Sequence, residues 1–134
     1  MQKETILKIM RGTRTIAVVG MSRKPHRAGF YVPRYLQEAG YRIIPVNPYL
    51  HGDVLGETPF DTLSEVTVPV DLVLLFQRSE NVPPFVTEAI EIGARAIWMQ
   101  QGIRNEAAAS EAEAAGLDVI QDACMMVKHR RHML

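Results

Sequence analysis

The residues with the clearest capacity for chemistry lie between Gly20 and Gly29, in a segment that reads GMSRKPHRAG. This segment follows a short β-branched run and precedes a predicted helix, so its amide groups and the helix dipole favour a bound anion. Glycine allows close approach to the backbone, while serine and the basic residues supply hydrogen bonds and positive charge. The candidate phosphate-binding residues are Gly20, Ser22, Arg23, Lys24 and Arg27. The alternative is an ordinary solvent-exposed loop that carries surface cations.

The glycine spacing in this segment differs from the dinucleotide-binding fingerprint, which places three glycines within six residues. Enzymes that use NAD also commonly have an acidic residue at the end of the second strand, where it binds the ribose. Here the second predicted strand is followed by Asn47 and Pro48, which would not repel a ribose bearing a 3′-phosphate. We therefore predict that Asn47 and Pro48 contact a nucleotide other than NAD. A simple Asn-Pro turn is the alternative.

Two later predicted strands also end in polar residues. Arg78 follows the most apolar strand, and its planar guanidinium can bind a phosphate; the alternative is an ion pair with Glu80 or Asp71. The segment from Trp98 to Gly102 contains two glutamines, and amide side chains suit a neutral, hydrogen-bonding ligand chain. Gln100 and Gly102 are the candidate contacts there, whereas Trp98 is of a type that more often lies in a core.

These residues follow a regular alternation of short apolar runs and helix-like segments. Strands are predicted at residues 15–20, 41–46, 72–76, 96–99 and 118–120, and helices at residues 30–39, 82–92 and 106–115. A short amphipathic helix is predicted near the amino terminus, and a short strand near Val54 and a short helix at residues 63–66 lie between the second and third strands. Pro33 must lie in the first turn of its helix or kink it.

Because parallel strands need crossover connections, this order predicts one α/β domain over residues 1–134. We expect a Rossmann-like, doubly wound, mostly parallel sheet of five to six strands with helices on both faces. Ligands of such sheets bind at the carboxyl ends of the strands. The fold would therefore gather the candidate residues at one edge.

Charge and cysteine content narrow the class of protein further. Fifteen basic residues balance fifteen acidic ones, so we expect neither a nucleic-acid nor a membrane-binding surface. The basic residues 128–132 are predicted to form a solvated terminus. One cysteine, Cys124, cannot form an intramolecular disulfide, so we expect a reducing, cytoplasmic location. No metal site is predicted, because Cys124, His129 and His132 lack a fourth ligand.

Five segments, taken in order, resemble the CoA-binding domain family, which includes small stand-alone proteins and the amino-terminal domain of the succinyl-CoA synthetase α subunit. They are residues 19–22 with Pro25, residues 44–48, 73–80 and 98–103, and residues 116–120 with Cys124. The resemblance implies coenzyme A as ligand, with its diphosphate and adenine near the first two loops and its pantetheine towards the later ones. By position it assigns Ser22, Arg23, Lys24 and Pro25 to the phosphate loop, and Trp98, Met99 and Gln100 to the later contacts.

One departure concerns the second loop, where the synthetase subunit has a lysine and this chain has Leu50 and His51. We expect Arg27 and Arg78 to neutralise the nucleotide instead. Cys124 is predicted to be a structural thiol, with a mixed disulfide to CoA as the alternative.

The function predicted from these observations is non-catalytic binding of coenzyme A or an acyl-CoA, as a sensor or carrier that works with a partner. The synthetase needs further domains for its chemistry, and no catalytic nucleophile, base or metal set is recognisable here. Two alternatives stay open: an NAD(P)-binding enzyme or redox sensor, and a small enzyme that uses a CoA thioester.

Overall fold

Five short strands form a single parallel sheet in the computed structural model, which describes residues 2–134. The strands are β1 (Thr15–Val19), β2 (Arg42–Val46), β3 (Leu72–Leu75), β4 (Ala96–Met99) and β5 (Asp118–Ile120). They lie in the order β2-β1-β3-β4-β5, and every neighbouring pair is parallel. This arrangement confirms the predicted α/β, Rossmann-like sheet.

Helices cover both faces of the sheet. They are α1 (Gln2–Gly12), α2 (Ala28–Glu38), α3 (Val82–Glu91), α4 (Glu106–Ala114) and α5 (Met125–Met133). Alternate side chains of each strand enter opposite cores: Ile16 and Val18 pack with α1, α2 and α5, whereas Ala17 and Val19 pack with α3 and α4. Because both faces are covered, the strands consist of nearly continuous apolar runs. None of the helices in residues 2–134 has the length and apolar character needed to cross a membrane.

The region between β2 and β3 contains no long helix. Phe60 forms an isolated parallel bridge with Val46, and Val54 forms an antiparallel bridge with Glu57. This region also contains a 3-10 helix at Leu63–Glu65, and a second 3-10 helix at Ser79–Asn81 lies further along, between β3 and α3. The predicted strand near Val54 is therefore only a bridge, while the short helix at residues 63–66 is confirmed as one 3-10 turn.

The basic residues 128–132 belong to α5, so the predicted solvated terminus is instead an ordered helix that is solvated on one side and buried on the other. Met125 is fully buried and His129 is only 6% exposed, and α5 packs against α1 and α2. Met125 and His129 are four residues apart, so they lie on one helical face and enter the core together. Arg130 and Arg131 lie on the exposed side.

The strand order determines where a ligand can bind. The chain leaves β1 towards β2 on one side, whereas it leaves β3 towards β4 on the other. The two connections diverge at the carboxyl ends of β1 and β3, which is the topological switch point of an open sheet. The loops after β1, β2 and β3 meet there.

Candidate ligand-binding site

A cleft of about 770 Å³ opens at this switch point, between the loop after β1 and the loop after β2. Its volume lies within the range of small-molecule sites. The lining residues are Gly20, Met21, Ser22, Arg23, Lys24, Arg27, Ala28, Gly29, Asn47, Tyr49, Leu50, His51 and Phe76. The structure thus brings together the predicted first-loop residues, except Pro25, with Asn47 from the second loop.

Two glycines allow the backbone to approach closely enough to form this cleft. Gly20 has a φ of +83°, and a Cβ atom there would collide with the Phe76 carbonyl oxygen. A Cβ on Gly29 would lie 3.2 Å from the Gly20 carbonyl oxygen and 3.4 Å from the Ser22 Cβ. The start of α2 therefore packs directly on the end of β1, and side chains larger than hydrogen would separate them.

The loop between these glycines is stabilised by its own hydrogen bonds. The Lys24 amide donates to Ser22 Oγ at 3.0 Å, and the Arg27 amide donates to the Lys24 carbonyl at 3.0 Å. Pro25 occupies the second position of that four-residue turn, where its fixed φ is favoured. Pro25 is exposed and shapes the loop, but it does not line the cleft.

A backbone carbonyl in the first turn of α2 accepts a hydrogen bond from the loop. Pro33 is the sixth residue of α2 and has no amide hydrogen to donate to the Gly29 carbonyl, its partner in a regular helix. That carbonyl instead accepts the Ser22 amide at 3.0 Å. The proline thus lies beyond the first turn, and it leaves an acceptor available to the loop.

Positive charge in the cleft comes from exposed side chains and helix amides. Lys24 and Arg27 are exposed, and neither side chain forms an ion pair within residues 2–134. Ala28 and Gly29 begin α2 and line the cleft, and the first amides of a helix have no acceptor within it. This combination favours an anionic group such as a phosphate.

Arg23 is held by the loop that follows β2. Its Nη2 donates to the carbonyls of His51 and Gly52 at 2.7 and 2.8 Å, and its Nη1 donates to the carbonyl of Asp53 at 2.8 Å. These contacts join the two loops that form opposite walls of the cleft. Arg23 is therefore in the predicted place, although its guanidinium is largely occupied by protein carbonyls.

Asn47 also organises the second loop. Its side-chain Oδ1 accepts the Tyr49 amide, and its Nδ2 donates to the Met21 carbonyl, both at 2.9 Å. The first contact forms an Asx turn, as the Asn-Pro alternative anticipated. The second is a further link between the two loops, which the sequence did not indicate.

The predicted residues at the end of β4, and the glutamine that follows it, do not line this cleft. Trp98 and Met99 are fully buried, and the Trp98 indole donates to the Ala123 carbonyl at 2.8 Å. Both faces of β4 are covered, so neither side chain is exposed to this cleft, and the structure does not bring them together with the first-loop residues. Gln100 is 4% exposed and accepts the Met125 amide at 3.2 Å. It therefore fixes the start of α5.

Three other predicted features lie away from the cleft. Gly102 is exposed, and its amide donates to Asp122 Oδ1 at 2.7 Å. Arg78 is exposed, and no ion pair to Glu80 or Asp71 forms within residues 2–134; Asp71 instead pairs with Arg95 at the opposite edge. Cys124 is half-buried just before α5 and packs on the core.

A second, smaller cleft of about 420 Å³ adjoins the first. Gly20, Asn47, Tyr49 and Phe76 line both. The second cleft is also lined by Pro48, Phe85 and the acidic residue Asp61, and its lining includes no lysine or arginine. Asp61 reaches this edge because the preceding residue, Phe60, pairs with the end of β2.

Sequence reasoning missed Tyr49, Leu50, His51 and Asp61 as cleft residues. Leu50 and His51 were considered only as the position of an absent lysine. Tyr49 could have been included from the sequence, since it lies three residues after the end of β2 in the loop already under consideration; in the structure it is 85% exposed. The position of Asp61 could not be predicted from the sequence, because it depends on the single β-bridge between Phe60 and Val46 in an irregular region.

The chain matches the CoA binding domain family over residues 14–130. It is 40% identical over 127 residues to the uncharacterized protein YneT of Bacillus subtilis (strain 168), with 95% of this chain and 93% of YneT covered. A hypothetical protein from Pyrococcus horikoshii OT3 has a solved structure with a TM-score of 0.94 and 34% identity, covering 100% of this chain and 94% of that chain.

A more distant likeness extends to a larger enzyme. Acetyl-coenzyme A synthetase 1 of Ca. Korarchaeum cryptofilum, solved with phosphate and ADP, matches with a TM-score of 0.69 and 23% identity over 84% of this chain and 26% of the enzyme. That likeness concerns the fold alone. The family match and the close relative together establish the class: this protein belongs to the CoA-binding domain family.

Proposed function

We propose that this protein binds coenzyme A or an acyl-CoA in the cleft between the loops after β1 and β2. The observation that carries the proposal is the pairing of two exposed cations, Lys24 and Arg27, with the amide end of α2 on one wall of a 770 Å³ cleft. A diphosphate is the group that this wall suits best, because helix amides and cations both stabilise phosphate oxygens.

Membership of the family supports the choice of coenzyme A among phosphorylated ligands. The electrostatic difference between the clefts supports it as well. The first cleft is cationic, whereas the second has Asp61 and the aromatic residues Phe76 and Phe85. A ligand with charged and uncharged parts can occupy both, and coenzyme A combines phosphates with a heteroaromatic base and a neutral pantetheine chain.

We further propose that the protein binds its ligand without transforming it, as a sensor or carrier. The serine hydroxyl of the cationic loop, Ser22 Oγ, accepts the Lys24 amide. Within residues 2–134 it has no histidine or carboxylate partner that could activate it as a nucleophile. Turnover of acyl-CoAs that one substitution in the cleft abolishes would overturn this part of the proposal.

NAD(P) binding is a second candidate, because one observation favours it. The sequence has no acid directly after β2, yet Asp61 lies on the wall of the second cleft beside Asn47 and Tyr49. A carboxylate near the second strand is the group that binds the ribose hydroxyls of NAD in related folds. The loop after β1 still lacks the three-glycine fingerprint.

Mass spectrometry of the protein purified under native conditions tests the choice directly. We expect a retained ligand, or one retained after incubation with a cell extract, whose mass equals that of coenzyme A or an acyl-CoA. Retention of a nicotinamide dinucleotide, with coenzyme A absent even after addition in excess, would contradict the proposal and favour the second candidate.

A further inference from the structure

Arg23 has a hydrogen-bonding pattern unlike that of the other cations in its loop. Its guanidinium donates three hydrogen bonds of 2.7–2.8 Å to the carbonyls of His51, Gly52 and Asp53. The two hydrogens on Nη2 are both used, as is one on Nη1, which leaves Nε and one Nη1 hydrogen. Three of its five donor hydrogens are therefore committed to protein carbonyls.

The three acceptors belong to consecutive residues, so they act on one segment. Gly52 has a φ of +82°, a conformation that suits glycine and that turns the chain around the guanidinium. Asp53 also makes a contact through its side chain, since its Oδ1 accepts a hydrogen bond from the Thr58 hydroxyl at 2.9 Å. The segment at residues 51–53 is thus fastened on one side to Arg23 and on the other to the rest of its own loop.

This segment forms a wall of the cationic cleft through His51. Beside it, Asn47 Nδ2 provides the other link between the loops by donating to the Met21 carbonyl. The Asn47 link lies directly after β2, whereas the Arg23 link holds the part of the loop four to six residues further along. Without Arg23, residues 51–53 would lose the side chain that fixes them to the opposite wall.

We infer that Arg23 is a positioning residue, which holds residues 51–53 as the second wall of the cleft and does not itself bind the ligand's phosphates. The inference rests on the proposed function for the identity of the ligand. The contacts between Arg23 and residues 51–53 do not depend on that proposal. It divides the cations of the loop into two kinds. Lys24 and Arg27 carry the charge that attracts the phosphates, and Arg23 determines the shape of the cavity.

Arg23→Lys separates the two roles, because lysine keeps the charge and loses the planar fork that spans three carbonyls. Arg23→Ala removes both, Lys24→Ala removes a neighbouring charge only, and Arg11→Ala, an exposed cation at the end of α1, is the matched control. Hydrogen–deuterium exchange of residues 50–58 is measured without ligand. Coenzyme A affinity is measured by titration calorimetry at low and high salt.

If Arg23 is a positioning residue, both Arg23 variants exchange faster than wild type at residues 50–58, while Lys24→Ala and Arg11→Ala do not. Both should bind coenzyme A roughly tenfold more weakly, because only part of the population has the wall in place. The salt dependence of binding should equal that of wild type for Arg23→Lys, which keeps the charge, and should decrease for Lys24→Ala.

Wild-type exchange and wild-type affinity in Arg23→Lys would overturn the inference, because the positive charge alone would then account for the contribution of Arg23. Thermal melts show whether each variant is folded, and Arg23→Gln provides a second neutral substitution if the alanine variant is not. Failure of wild-type protein to bind coenzyme A would refute the proposed function alone, since the exchange comparison needs no ligand.

Discussion

The cations of the first loop show how residues of one chemical type acquire different tasks from their partners. All three are exposed and lie within five positions of one another. Arg23 is engaged by three backbone carbonyls, whereas Lys24 and Arg27 extend into the cleft without an ion pair in the described part of the chain. Affinity for phosphate should therefore depend on the latter two.

Replacement of Lys24 and Arg27 together by alanine tests this assignment. A charge-assisted hydrogen bond contributes roughly 1.5–3 kcal/mol, and solvent screening reduces that value for exposed side chains. We expect coenzyme A to bind roughly tenfold to a hundredfold more weakly, with a smaller dependence on salt. Dephospho-CoA should lose affinity similarly, because it retains the diphosphate. Unchanged affinity in the folded variant, measured by calorimetry at low salt, would show that these side chains do not contact the phosphates.

At this scale the sequence predicts residue types better than residue partners. The position of Ser22 and the cations after a buried strand was sufficient to predict that they lie together at the carboxyl edge of the sheet. Trp98 could not be assigned in the same way, because its burial depends on Ala123, 25 residues away, which accepts its indole hydrogen. The contacts of Arg23 are similarly remote, since its acceptors lie 28 to 30 residues further along the chain.

Helix α2 connects the site to the fold through a missing hydrogen bond. Pro33 cannot donate to the Gly29 carbonyl, and the Ser22 amide takes its place. Pro33→Ala restores a helical donor that competes for this carbonyl. We expect faster amide exchange at Ser22, measured by NMR, and weaker coenzyme A binding by a few-fold. Unchanged exchange at Ser22 would mean that the proline has no part in fixing the loop.

Helix α5 is anchored by a histidine whose ionisation should affect stability. His129 Nδ1 lies 2.9 Å from the Tyr35 hydroxyl, and its ring packs edge-on against Tyr35 and Tyr41. Burial lowers the pKa of His129 below its ordinary value of about 6.5. The unfolded chain therefore binds a proton more readily than the folded one, and stability present above that pH is lost as pH falls.

The corresponding measurement is the free energy of unfolding from neutral to mildly acidic pH. We expect wild-type stability to decrease below about pH 6.5 with a slope of at most about 1.4 kcal/mol per pH unit from this residue. His129→Gln should have a shallower slope, although His132, whose pKa is also lowered, retains its contribution. A variant with the same slope as wild type would show that His129 is not the group responsible.

The elements were predictable where their apolar pattern was continuous. The β-branched and aliphatic runs of β1 and β3 specify buried parallel strands, and the start of α2 was displaced by only two residues. Helix α5 was missed because its charged residues suggested a tail. Met125, His129 and Met133 recur every four residues, but this stripe is visible only if histidine is counted as a buried residue.

At the scale of the whole molecule, the site results from topology more than from any one motif. The divergence of the chain after β1 and β3 opens a crevice at the carboxyl edge. Two clefts of opposite electrostatic character meet there, separated by Gly20 and Asn47. The sequence predicted the edge and the cationic loop, but not the second cleft, because that cleft depends on the bridge between Phe60 and Val46.

Titration calorimetry of the full chain with coenzyme A, NAD and NADP, each under identical conditions, tests the central claim most directly. We predict one coenzyme A site per chain, with NAD and NADP binding much more weakly, because the cationic wall suits phosphates and the loop after β1 lacks the dinucleotide glycines. Asp61→Asn should leave coenzyme A binding in place. Saturable binding of NAD or NADP without detectable binding of coenzyme A would contradict the account.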